Sequence, residues 1–144
     1  MNLTTLIKQY FPLSGNDVTI DVFDEKNIYD VYQRVVGVLT QYLEIETTVL
    51  QAVSYCFYEM LDNVLIHSGK EMGTVITHYD AVGHVLSFLV ADDGQGVLAS
   101  LLENEEYKGL SESEALKLCI KDAVTDGKGM GFGLYSTSLL ARDA

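Results

Sequence analysis

The chain has one proline, no tryptophan, two cysteines and only nine lysines and arginines in 144 residues. Each shortage excludes something. Cys56 and Cys119 show no metal-ligand spacing, so no zinc site is expected, and they read as small buried hydrophobes rather than a disulfide. Nine scattered basic residues against 21 acids leave a formal charge of −12. That is the wrong sign for displacing phosphate counterions, so no nucleic-acid partner is expected. No apolar run reaches the roughly 18 residues that a membrane span needs, and the opening MNLTTLIKQYF has neither a basic start nor a small-residue cleavage site. The expectation is a soluble, cytoplasmic protein with no membrane partner. With the lone Pro12 near the start, and no repeat or low-complexity tract, the simplest parse is a single domain over 1–144; its 48% hydrophobic content is enough to build a core.

The acidic balance also constrains any nucleotide site. A polyphosphate is repelled at long range, so binding must come from backbone N–H groups, a helix N-terminus and Mg²⁺.

Hydrophobic periodicity supplies the elements. Leu3, Leu6, Ile7 and Tyr10 mark a short amphipathic helix, and Val18, Ile20 and Val22 alternate as in a strand. Ile28, Val31, Tyr32, Val35, Val38, Leu39 and Tyr42 recur at three and four, predicting a helix of about four turns. This helix–strand–helix part covers 1–44; the remainder, 45–144, holds the chemistry-bearing motifs. A second long helix is expected over 45–67, stopped by Ser68-Gly69, with a core stripe of Val49, Val53, Cys56, Phe57, Met60, Leu61 and Val64. GTVITHYD and HVLSFLVAD then predict a hairpin around Ala81-Val82-Gly83. A polar loop is expected up to Ser111, where a capping box of Ser111 and Glu114 opens a helix. The glycine-rich DGKGMGFGL leads into a last helix, LYSTSLLA.

Three motifs are hard to explain by packing alone. Glu59, Asn63 and His67 recur every fourth residue; at 100° per residue they advance about 40° per step and form one polar seam beside the core stripe. Packing would make them a solvated flank, a satisfied amide and a helix-end cation. Chemistry would give Asn63 an amide oxygen for a hard cation and make Glu59 a base one turn away. Asp92-Asp93-Gly94-Gln95-Gly96 follows a strand. It reads either as an ordinary turn or as an acceptor, Asp92, for an exocyclic amine, with Gly94 and Gly96 letting a flat ring approach the backbone. Gly127, Gly129, Gly131 and Gly133 fall at alternate positions directly before a helix, as an anion site would require, with Lys128 as an added charge. The spacing is G-x-G-x-G rather than the Rossmann G-x-G-x-x-G, and no Gly-Lys-Ser or Gly-Lys-Thr of a P-loop occurs.

In this order, E-x-x-x-N-x-x-x-H at 59–67, D-x-G-x-G at 92–96 and G-x-G-x-G-L at 129–134 resemble the N, G1 and G2 boxes of the GHKL, or histidine-kinase-like, ATPase superfamily. Within it the chain is most similar to small bacterial histidine-kinase-like ATPases, including anti-sigma-factor serine kinases. The resemblance covers 46–141. It implies the Bergerat fold, a two-layer α/β sandwich in which helices cover one face of a mixed sheet and ATP lies between helix and lid. By position it implies Asn63 as the Mg²⁺ ligand, Glu59 as the catalytic base and Asp92 as the adenine acceptor. Gly94 and Gly96 would shape the base pocket, Gly129, Gly131 and Gly133 would face the phosphates, and His67, Lys128 and Leu134 would complete the nucleotide-binding set. The segment 97–128 would be the ATP lid.

The chain departs from that family in two places. Family members normally run on past the G2 helix into further strands, whereas this sequence ends at Asp143-Ala144, so a short sheet or a fragment of a longer protein is expected. Its only histidines are His67, His78 and His84; none precedes the N box, and autonomous histidine-kinase activity is not expected. The reading is an ATP- and Mg²⁺-dependent module that hydrolyses ATP or phosphorylates a regulatory protein partner on Ser or Thr. The alternative is a non-catalytic, ATP-gated interaction module. The sequence leaves homo-oligomer formation open.

Overall fold

The computed structural model describes residues 2–11, 18–128 and 133–143. Its elements run α1 (Leu3–Tyr10), β1 (Val18–Asp24), α2 (Ile28–Tyr42), α3 (Thr47–His67), β2 (Met72–Asp80), β3 (Val85–Ala91), α4 (Gly96–Leu101), a 3₁₀ turn (Glu105–Tyr107), α5 (Glu112–Leu118) and α6 (Gly133–Asp143).

Alternation along β1 turns Phe23 inward and leaves Ile20 and Val22 about half exposed on the opposite face. The inward side chains meet Ile28, Val31 and Val35 of α2 and Phe57, Leu61 and Val64 of α3 in one core with Val75 of β2. Phe57 reaches β3 as well, its ring edge-on to Phe88 with centroids 4.8 Å apart. The result is a two-layer α/β arrangement in which α2 and α3 cover the inward face of the sheet. Gly73 is fixed by this packing: a Cβ there would run into the Phe23 ring and the Val64 side chain. Beside the core, the Arg34 guanidinium of α2 pairs with Asp21 of β1.

The expected mixed sheet is corrected. Among the described residues the strands lie in the order β1-β2-β3 and every pairing is antiparallel. A tight turn joins β2 to β3, and two helices rather than one separate β1 from β2. A single crossover helix returns a strand parallel; a second helix reverses the chain once more.

Most predicted helices and strands fall where the periodicity puts them. α5 opens on the capping box, with Ser111 Oγ accepting from Glu114 N and the Glu114 carboxylate accepting from Ser111 N. Gly69, at φ 72°, follows the end of α3 as the left-handed stop. Two expectations fail. The α3 stripe does not hold at its start, where Val49 is exposed while Ser54 is buried. α3 touches α2, α6, β2 and β3, so it buries more than the single stripe of a surface helix. The polar loop after Gly96 in fact contains α4, six residues long, with Ser100 and Leu101 buried. One and a half turns are too few for a period to show. No helix among the described residues is long and apolar enough to cross a membrane.

Candidate functional site

A cavity of about 550 Å³ lies against the C-terminal half of α3, within the usual size of a small-molecule site. Glu59, Asn63 and His67 line it from α3, Asp92 from the turn after β3, Gly96 from the start of α4, and Gly133 and Leu134 from the start of α6. Residues far apart in sequence thus border one space. Gly129 and Gly131 lie outside the described residues.

The seam runs one turn further than the motif. Tyr55 precedes Glu59 by four residues, lines the same cavity and is hydrogen-bonded to Glu59 and to Ser136 of α6. Burial, and then the neighbouring Glu59 charge, push the Tyr55 phenol above its ordinary pKa, so it holds its proton and donates it to the carboxylate. On its other side Glu59 meets the start of α6, where a Cβ at Gly133 would collide with the Glu59 carboxylate. A side chain at Gly133 would therefore displace the Glu59 carboxylate from this position. The Asn63 Nδ2 is buried and has no hydrogen-bond partner. An unmet buried donor costs about 1–3 kcal/mol.

His67 belongs to a network that the motif reading misses. Its Nδ1 lies 2.7 Å from Oδ2 of Asp126, whose side chain is only 1% exposed. Ser100 Oγ of α4 donates to the same oxygen at 2.7 Å, and Lys128 N donates to Oδ1 at 3.0 Å. Burial alone would raise the Asp126 pKa, but the bonds from His67, Ser100 and the Lys128 amide outweigh it and hold the carboxyl below its usual range. An ionised carboxylate only accepts, so His67 carries its proton on Nδ1. The order Ser–Asp–His is wrong for a nucleophilic relay, because the serine gives its proton to the acid and not to the imidazole. The cluster instead joins α3, α4 and the segment before the glycines.

Lys128 and Gly94 sit differently from their expected roles. Lys128 does not line the cavity; its Nζ is 2.7 Å from Glu103 and 4.0 Å from Asp126. The pair pulls the Glu103 carboxyl below, and the lysine above, its ordinary value. Glu103 also accepts from Gln95 Nε2 at 2.8 Å, and Gln95 Nε2 donates to the His67 carbonyl at 3.0 Å. At Gly94 an added Cβ would meet the Ser68 carbonyl, so this glycine serves the close approach of its turn to the end of α3 rather than a bound ring. Asp92, just past the end of β3, is exposed. Its Oδ1 accepts from Gly94 N at 2.7 Å, and Asp92 still lines the cavity.

Tyr55 was legible as a continuation of the four-residue spacing. Asp126 was not, since Thr125-Asp126-Gly127 reads as an ordinary turn. Among the described residues no three His, Cys, Asp or Glu side chains converge on a metal position. Compared with protein-family models, curated proteins and solved structures, the chain gives no match.

Proposed function

We propose that the cavity binds ATP with Mg²⁺ and that the chain is a small member of the histidine-kinase-like ATPases with the Bergerat fold, acting in the cytoplasm on a regulatory protein. The observation that carries this reading is the convergence of the three separated motifs on one cavity. The unpartnered Asn63 amide fits a ligand-facing role, because a half-turn of its side chain offers the oxygen in place of the nitrogen. Mg²⁺ would supply charge neutralisation of the phosphates, and with no protein cage around it most of its ligands would be phosphate and water oxygens.

The chemistry is transfer of the γ-phosphoryl group to water or to a Ser or Thr hydroxyl. The nucleophile's oxygen bonds to phosphorus, the bond to the β-phosphate oxygen breaks, and ADP leaves. Glu59 takes the proton that the nucleophile loses. Tyr55 orients the carboxylate, and Gly133 lets it stand at the start of α6. Asp92 accepts from the adenine amine through its remaining oxygen. Gly129, Gly131 and Leu134 belong to the phosphate side, with Lys128 able to reach a phosphate once it leaves Glu103.

Glu59 and Asn63 share a face but have separable tasks. Asn63→Ala should weaken Mg²⁺-ATP binding itself, whereas Glu59→Ala should leave affinity nearly intact and lower turnover by about 10²–10⁴. Calorimetry beside a phosphate-release or phosphotransfer assay reads both. Loss of binding in Glu59→Ala would remove its role as the base.

A second reading, a non-catalytic module gated by ATP, has its own support. Lys128, Glu103 and Gln95 link the glycine-rich segment to the two ends of α4, so a phosphate that draws Lys128 from Glu103 would re-set and order the lid for a partner without any chemistry. Tight binding with no turnover toward any partner would favour it.

A further inference from the structure

A second concavity, of about 540 Å³, lies between α2 and α3, and tyrosines dominate its walls: Tyr29 and Tyr32 from α2, Tyr55 and Tyr58 from α3. The rings are contiguous. Tyr29 stacks on Tyr32 with centroids 6.0 Å apart, and Tyr32 meets Tyr58 edge-on at 5.4 Å. Tyr29, Tyr55 and Tyr58 nevertheless remain 58%, 40% and 37% exposed, so their aromatic surface is offered to whatever enters.

Among the described residues no charged side chain lines the groove itself; α2 carries Asp30 next to Tyr29, and its single arginine, Arg34, is paired with Asp21 of β1. A tyrosine face carries a negative quadrupole that attracts guanidinium and ammonium groups, and a chain of net charge −12 steers cations toward it. A second copy of the chain would bring the same −12 and be repelled.

We propose that the α2–α3 groove is a docking site for the arginine or lysine side chains of a basic segment in a partner protein. Docking itself does not depend on the ATP reading. One consequence does: Tyr55 borders both the groove and the cavity and bonds Glu59, so a docked segment touches the residue that orients the proposed base.

The probe is a capped peptide, acetyl-Gly-Arg-Arg-Gly-Arg-Arg-Gly-amide, with a Gln-for-Arg version as control, titrated by calorimetry at about 0.15 M salt, where surface charges are screened beyond roughly 8 Å. Wild type should bind the arginine peptide and not the control. Tyr29→Leu with Tyr58→Leu should weaken binding about tenfold, whereas Tyr29→Phe with Tyr58→Phe, which keeps the rings, should bind like wild type. Both pairs keep the net charge, so equal affinity across wild type, Leu and Phe variants would mean diffuse attraction and overturn the site. Absence of binding to wild type overturns it too, as does a wild-type dimer that the leucine pair breaks. If the leucine pair loses its circular-dichroism signature, the single Tyr29→Leu, at the most exposed ring, decides by the same comparison. Failure of the ATP reading would leave these titrations unchanged and remove only an effect of the peptide on turnover.

Discussion

Asp126 concentrates more of the site's electrostatics than any residue in the three motifs. Its carboxylate accepts from Ser100, His67 and the Lys128 amide while almost wholly enclosed. Asp126→Ala should therefore cost about 1–3 kcal/mol, the penalty for buried donors left unmet, as read by urea denaturation. The pH dependence has a definite sign. A carboxyl held below its ordinary pKa contributes stability that is complete above the usual value, about 3.9 for aspartate, and is lost as pH falls through its lower folded value. The stability gap between wild type and Asp126→Asn should thus be full at neutral pH and close in acid. The glycines separate at the same scale. In Gly94→Ala the new methyl meets backbone, the Ser68 carbonyl, which cannot move aside, so a loss of about 1–3 kcal/mol is expected. In Gly133→Ala it meets the end of the Glu59 side chain, which can swing away. Thermal melting should show little change there, while any turnover falls with the displaced carboxylate.

Among the elements, α3 and the 97–128 segment behave differently. α3 is enclosed by the sheet and by α2, α4 and α6; the segment is tied down mainly by the Asp126 cluster and by Gln95, Glu103 and Lys128. Few buried apolar side chains hold it, Leu101 and Ala115 among them, so it belongs to the low-stability end of the structure. Amide exchange across 97–128 should slow when Mg²⁺ and a non-hydrolysable ATP analogue are added. Unchanged exchange despite saturating ligand would mean that the lid is not coupled to the site. What the sequence made legible follows the same division. α2 and α3 repeat their apolar positions over four turns or more, and Ser111 with Glu114 marks a helix start by chemistry that needs no partner. α4 spans six residues, too few to display a period. Sheet direction follows from the two helices between β1 and β2, both legible in the periodicity; the mixed sheet was an expectation of the resemblance alone. The seam from Glu59 to His67 was legible because four-residue spacing fixes a common face, whereas Asp126 takes its environment from Ser100 and His67, which no local pattern connects to it.

At the scale of the whole molecule, charge is the dominant fact. Glu59, Asp62, Asp92 and Asp126 line the cavity, in a chain of net −12, so a tetra-anion should enter only with its charge largely neutralised. Without a divalent cation ATP should bind weakly, and added salt should strengthen that residual binding by screening repulsion. This reverses the behaviour of a basic nucleotide site. The test closest to the central claim is a calorimetric titration of the chain with ATP, once in excess Mg²⁺ and once in EDTA. The account predicts a saturable one-to-one heat with Mg²⁺ that is lost or greatly weakened in EDTA. No heat with Mg²⁺, or the same affinity in both, would contradict it.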